Sequence, residues 1–193
     1  MTRARDLAYE PVAGFRSRKA AQVSAFFVAR SGGRIDKMKI AKLQYLAERE
    51  FLGRHARPML YDELYSLPHG PICSGALNGV EGKLVGREEW GLVAANGRKD
   101  VVGADQFDRE RADEVSDAEW RVISDVWDKF GHLTAAQLRA YTHNPANCPE
   151  YTEVEDARVR ITYDEVFRAL GFADAEGLAR QADELSRLEL AFH

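Results

Sequence analysis

The alternation of apolar and polar positions changes period several times along this chain, and each change marks an element. The run "RKAAQVSAFFVAR" (18–30) is apolar at helical spacing, and Ser31-Gly32-Gly33 supplies residues that end a helix readily. Asp36 then stands where an N-cap belongs, with Ile35 and Ile40 spaced as a hydrophobic staple. Over residues 37–54 two stripes coexist, Ile40, Leu43, Ala47 and Phe51 on one, Met38, Ala41, Tyr45 and Leu52 on the other. A helix with two apolar stripes has neighbours on two sides, so this one is expected to run through the middle of the domain. An extended tyrosine-rich stretch, 60–67, follows, and then a Pro68-His69-Gly70-Pro71 corner. The two prolines fix two φ angles and remove two donors, and Pro71 suits the first turn of a short helix ending near Asn78-Gly79.

Asn96-Gly97 is the strongest local hairpin signal, and it predicts strands at about 90–95 and 98–102. The second half is read from its helix starts. Ser116 with Glu119, Thr134 with Gln137, and Thr162 with Glu165 each have capping-box spacing. Val115 and Trp120, Leu133 and Leu138, and Ile161 and Val166 are the matching staples. A last helix, about 175–190, carries Leu178, Ala182, Leu185 and Leu188. The expected fold is mainly α, a compact multi-helix domain of six to eight helices with a small β-hairpin insertion.

Composition narrows the function. With 193 residues, 45% hydrophobic and 30% charged, the chain has the length and balance of one soluble domain able to bury a core without staples. A net charge of −4 gives no electrostatic case for nucleic acid or an anionic membrane. The longest apolar run, 25–29, is far short of a span, and "MTRARDLAYEP" has no apolar leader core. Two cysteines make no disulfide framework, so a reducing, cytoplasmic setting is expected. Arg3, Arg5, Arg16, Arg18 and Lys19 make this end of the chain locally basic, and residues 1–17 are expected to form an arm.

Chemical constellations are sparse. His69, Cys73, His143 and Cys148 have spacings that a tetrahedral zinc site tolerates, which keeps a zinc-dependent hydrolase as a minor alternative. Prolines already explain the local shape of both intervals, and a buried cysteine is more often a small hydrophobe than a ligand. Glu48 and Glu50 are expected to be solvated or salt-bridged, and the three tryptophans to anchor the core. The helix pair around Gly131-His132 has a helix-turn-helix outline, with Gln137 and Arg139 as base-reading candidates, so a DNA-binding regulator is the main alternative.

The segment "KMKIAKLQYLAEREFLGRHARPMLYDELYSLPHGPI" resembles the core of the Panacea domain, the SocA-type antitoxin family. The matching parts are Lys42-Leu43 and Tyr45-Leu46-Ala47, then Arg57-Pro58, the tyrosine-rich piece, and Gly70-Pro71-Ile72. "SDAEWRVISDVWDKFGHLTAAQLRAYTHNPANCPEY", with Thr142-His143 and Pro149, is similar to a later part of that family. Together they span 18–151, leaving 152–193 as a helical extension packed on the domain. Two departures stand out. The family's Leu-Tyr pair after Gly-Pro-Ile is replaced by "CSGALNG", and Gln44 stands where a leucine is common. The resemblance implies a non-enzymatic antitoxin without cofactor, which neutralises a toxin from the adjacent gene by direct contact. Many members lie in prophages, and one branch delivers its toxin to a Clp-type protease. Tyr45, Tyr61, Tyr65, His69 and Pro71 are the candidate partner-binding residues, with no catalytic or metal-binding residue expected.

Overall fold

In the computed structural model, residues 9–84 and 88–191 are described. The basic residues Arg3 and Arg5 of the expected arm lie outside that range. What is described of residues 9–16 is tied down: Tyr9 N–H donates to Lys83 O and Arg16 N–H to Leu60 O.

The first helix, α1 (Ser17–Arg30), is followed by a three-residue strand, β1 (Arg34–Asp36), and by the long helix α2 (Lys37–His55). Asp36 caps α2 as expected, its carboxylate accepting from Lys39 N–H at 3.0 Å. Both staple residues, Ile35 and Ile40, are buried. The expectation of a central helix holds and is exceeded. Every residue from Ile40 to Glu48 is buried, so the middle of α2 is enclosed all round rather than on two sides. Its neighbours include α1 and three helices of the second half, α4 (Asp117–Phe130), α5 (Ala135–His143) and α6 (Tyr163–Ala169).

The β structure is larger than the single hairpin expected. One sheet has order β1-β5-β4, where β4 is Val93–Asn96 and β5 is Asp100–Gly103. The hairpin at Asn96-Gly97 is present, but its strands start later and its loop has three residues, Gly97 to Lys99, with Asn96 opposite Asp100. Two contacts explain the shift. Lys37 N–H donates to Lys99 O, which binds the loop to the start of α2. Trp90 leaves the ladder for a short 3₁₀ helix, Glu88–Leu92, where its indole N–H donates to Ser17 Oγ. Its ring also lies so close to α3 (Ser74–Val80) that a Cβ on Gly79 would stand 2.2 Å from it. Of the three tryptophans Trp90 is buried, while Trp120 and Trp127 are half-buried against the core.

The second sheet, order β3-β2-β6, joins β2 (Leu64–Leu67), β3 (Gly70–Cys73) and β6 (Val159–Ile161), all antiparallel. Pro71 is therefore a strand residue opposite Ser66, not the first turn of a helix, and α3 begins at Ser74. A proline is tolerated there because β3 is an edge strand and residue 71 is at a position whose N and O face away from β2. Ser74 N–H bonding to Glu63 O fixes that alternation. Through β6, the segment after residue 151 is hydrogen-bonded into the sheet of the preceding region.

The three capping boxes form as read. Ser116 and Glu119 exchange bonds at the start of α4, Thr134 and Gln137 at the start of α5. Glu165 accepts from Thr162 N–H at the start of α6. The last helix, α7 (Ala175–Ala191), packs on α6 and buries Ala175 and Ala182, while Leu185 and Leu188 are exposed. Among the described residues no helix is long and apolar enough to cross a membrane.

Candidate functional site

The middle of α2 carries polar side chains, and they are committed to several different segments. Lys42 Nζ donates to Pro71 O at 2.8 Å, and Gln44 Nε2 to Ser24 Oγ at 2.7 Å. Arg49 pairs with Glu150 at 2.6 Å, and Tyr45 O–H donates to the same carboxylate. Glu48, expected at a solvated face, is fully buried, while Glu50 pairs with Arg54 as expected. The Glu48 carboxyl accepts from Met59 N–H and, at 2.9 Å, from Leu60 N–H, and Tyr163 O–H lies 3.3 Å away. Hydropathy does not register such residues: a lysine and a glutamate read as surface until the backbone groups that they satisfy are seen. Here they are the ties that hold the tyrosine-rich stretch and the following turn against α2.

Burial shifts their titration. Glu48 is pushed up to about 8 by loss of solvent, against the pull of its two backbone donors. Asp62, whose oxygens accept from Gly75 and Ala76 N–H, is pushed up to about 7 for the same reason. Lys42 moves down to about 7, first by burial and then by the nearby Arg139 guanidinium.

The Pro68-His69 turn joins β2 to β3, and Gly70 closes it at φ +98°, a conformation that favours glycine. A Cβ there would sit 3.0 Å from both Lys42 Nζ and Thr142 Oγ1 and 3.1 Å from His143 Cδ2. Glycine at 70 therefore lets the turn close onto α2 and α5 together. Arg139 adds a bond from Nη2 to Pro68 O at 3.1 Å, and Tyr151 O–H donates to Leu67 O. The corner is structural, and it is braced from behind by three side chains.

In front of this corner lies a groove of about 430 Å³ between the first turns of α2, the turn, α3 and the β4–β5 loop. Met38, Leu67, Pro68 and Leu77 supply half-buried apolar surface, and Lys37, Glu81, Arg98 and Lys99 form the rim. The groove assembles from four separated segments, and no local signal in the sequence marks Met38, Leu77, Arg98 or Lys99 as partners in it.

The candidates read from the sequence are divided by this arrangement. Tyr45 is fully enclosed, with its hydroxyl on Glu150, so it braces the interior and offers no surface to a partner. Pro71 is likewise buried in β3, its carbonyl taken by Lys42. Tyr61 is 7% exposed, in the left-handed region at φ +52°, with the Arg16 guanidinium over its ring. Tyr65 is half-buried beneath Arg158, 3.7 Å from the ring centre, and His69 is exposed at the tip of the turn. His69 also lines the groove.

The four zinc candidates do not form a metal-capable group. No cluster of three or more His, Cys, Asp or Glu side chains that could hold a metal exists among the described residues. Cys73 and Cys148 are both buried and free, and burial raises both thiols, Cys148 to about 12. The Lys42 ammonium interacts with both. A protonated thiol beside a cation is a poor zinc ligand. For the helix-turn-helix reading, Gln137 is spent in its capping box and Arg139 is turned inward onto Pro68.

These features describe a mainly helical domain with polar ties inside, a braced turn, and an accessible groove beside it. The family model for antitoxin SocA-like proteins, the Panacea domain, matches residues 40–148, more than half of the chain, and the protein belongs to that family. The match begins inside α2 and ends at Cys148, so it takes in the Pro68-His69 turn and most of the groove, whose Asp36, Lys37 and Met38 precede it. Comparison with curated proteins and with solved structures returns no match. The family supports an antitoxin-type role, with a toxin as partner in general terms.

Proposed function

We propose that the protein is the antitoxin of a toxin–antitoxin pair and neutralises the toxin encoded by the adjacent gene through direct protein–protein contact. The observation that carries this reading is the family match over residues 40–148. The structure supports it with a surface suited to binding: His69 is exposed on the Pro68-His69 turn and Tyr65 is half-buried on the adjoining strand β2, and hydrogen bonds from Lys42, Arg139 and Tyr151 hold the turn in place. A surface held this way loses little freedom when a partner docks, which favours tight inhibition. The reading adds partner-specific contacts from the flanking 1–17 and 175–193 to those of the family region. It also admits delivery of the bound toxin to a Clp-type protease as the outcome of binding.

The test is growth rescue in the cytoplasm of a bacterial host. The adjacent gene is induced with and without this protein, and any complex is purified. Rescue with a stable, co-eluting pair supports neutralisation by blocking. Rescue with rapid, protease-dependent loss of the toxin supports delivery. A toxic neighbour that the protein does not rescue refutes the proposal.

A further inference from the structure

We propose, resting on the antitoxin reading, that the groove in front of the Pro68-His69 turn receives a short toxin segment bearing an apolar side chain flanked by carboxylates. The apolar part follows from the floor. Met38, Leu67, Pro68 and Leu77 each keep part of their surface open to a concavity of about 430 Å³. That is the size range in which proteins enclose small ligands or anchor side chains.

The acidic part follows from the charge left over at the rim. Both carboxylates of the groove are already engaged. Asp36 caps α2 by accepting from Lys39 N–H, and Glu81 accepts from Lys37 at 2.7 Å and Lys83 at 2.6 Å. Arg98 and Lys99, on the exposed β4–β5 loop, have no ion pair among the described residues. The uncompensated charge of this groove is therefore positive, on a chain whose net charge is −4. The cationic rim attracts an acidic segment, while the like net charge of −4 on two copies of the chain opposes their association overall.

The walls are fixed before binding. Lys42 and Arg139 hold the carbonyls of Pro71 and Pro68, and Lys37 N–H holds Lys99 O. An apolar side chain entering between them meets a formed slot, while its neighbouring carboxylates reach Arg98 and Lys99 at the edge.

The experiment uses the full chain and the purified product of the adjacent gene. The double reversal Arg98→Glu/Lys99→Glu changes only exposed loop side chains, so it leaves the fold intact. It is expected to weaken toxin binding by about 10-fold or more and to flatten the salt dependence of the association rate. Met38→Asp is expected to weaken binding with little change in salt dependence, and Arg121→Glu, exposed on α4, to leave it unaltered. Unfolding curves of each variant keep loss of fold separate from loss of contact. Full affinity in both groove variants overturns the groove proposal while the antitoxin reading stands. Failure of the native chain to bind or rescue overturns both. Self-association of the free chain that the same substitutions abolish would make the occupant a second copy and overturn the proposal.

Discussion

Replacing Glu48 with glutamine removes a buried titrating group while keeping an oxygen that accepts from Met59 and Leu60 N–H. In the native protein this carboxyl titrates near 8, against 4.5 in an unconstrained chain. Its folded state therefore holds the proton more tightly than the unfolded state throughout the interval between. Stability from this group is fully present below the unfolded value and is lost as pH rises through the folded one. The slope reaches about 1.4 kcal/mol per pH unit, so between about pH 5 and about pH 7 the group withdraws about 2 kcal/mol. Asp62, pushed up to about 7, contributes with the same sign. Asp62, Cys73 and Tyr163 remain in the variant, so the difference between the two proteins reports Glu48 together with its electrostatic coupling to them. The amide brings an unpaired donor, costing about 1–3 kcal/mol at low pH. Urea unfolding followed at a series of pH values is the assay. The Glu48→Gln curve should start below the native one at acid pH and converge on it or cross it as the pH is raised toward 8. Parallel curves would refute the reasoning, because they would mean that Glu48 titrates alike in the folded and unfolded chains.

Two further outcomes follow from close packing and from the buried cation. Gly79→Ala places a methyl 2.2 Å from the Trp90 ring and should cost about 1–3 kcal/mol, read as a lower urea midpoint together with a changed tryptophan emission. Lys42→Met tests the opposite pH sign: Lys42 is lowered from 10.5 to about 7, so the native protein gains stability as pH rises between those values. The methionine variant should lack that gain, and an unchanged alkaline limb of the stability–pH profile would contradict the burial argument.

What could be read from the sequence was what is encoded locally. Ser116, Thr134 and Thr162 announce their helices because a capping box is closed by residues three apart, whatever packs around them. Asp36 and the apolar stripes of α2 are local in the same sense. The strands β1 and β6 escaped because three-residue segments carry no period of their own, and they exist only through pairing with Val101 and Tyr65, distant in the chain. The tyrosine-rich stretch reads as extended, but its partner strand reads as a helix start. Pro71 suits both settings, and only the absence of need for its N–H at an edge strand decides between them. The candidate surface suffered from a related ambiguity. A tyrosine at position 45 reads equally as an exposed anchor or as an interior hydroxyl, and Glu150, about a hundred residues later, supplies the acceptor that makes it interior.

The polar interior of α2 bears on how a single domain can serve as a binding platform. Apolar packing alone fixes a helix loosely about its own axis, because shape complementarity tolerates hydrophobic exchange. A buried lysine that must meet Pro71 O, and a glutamate that must meet two backbone donors, have one arrangement each. Leaving either unmet would strand a buried polar or charged group at a cost exceeding that of most packing defects. These ties therefore set the Pro68-His69 turn and the groove walls independently of the residues that line the groove. Met38, Leu77, Arg98 and Lys99 take no part in them, so their identities are open to variation without disturbing the frame. This separation between a frame held by α2 and a lining free to change fits a family role in which one scaffold meets a toxin partner.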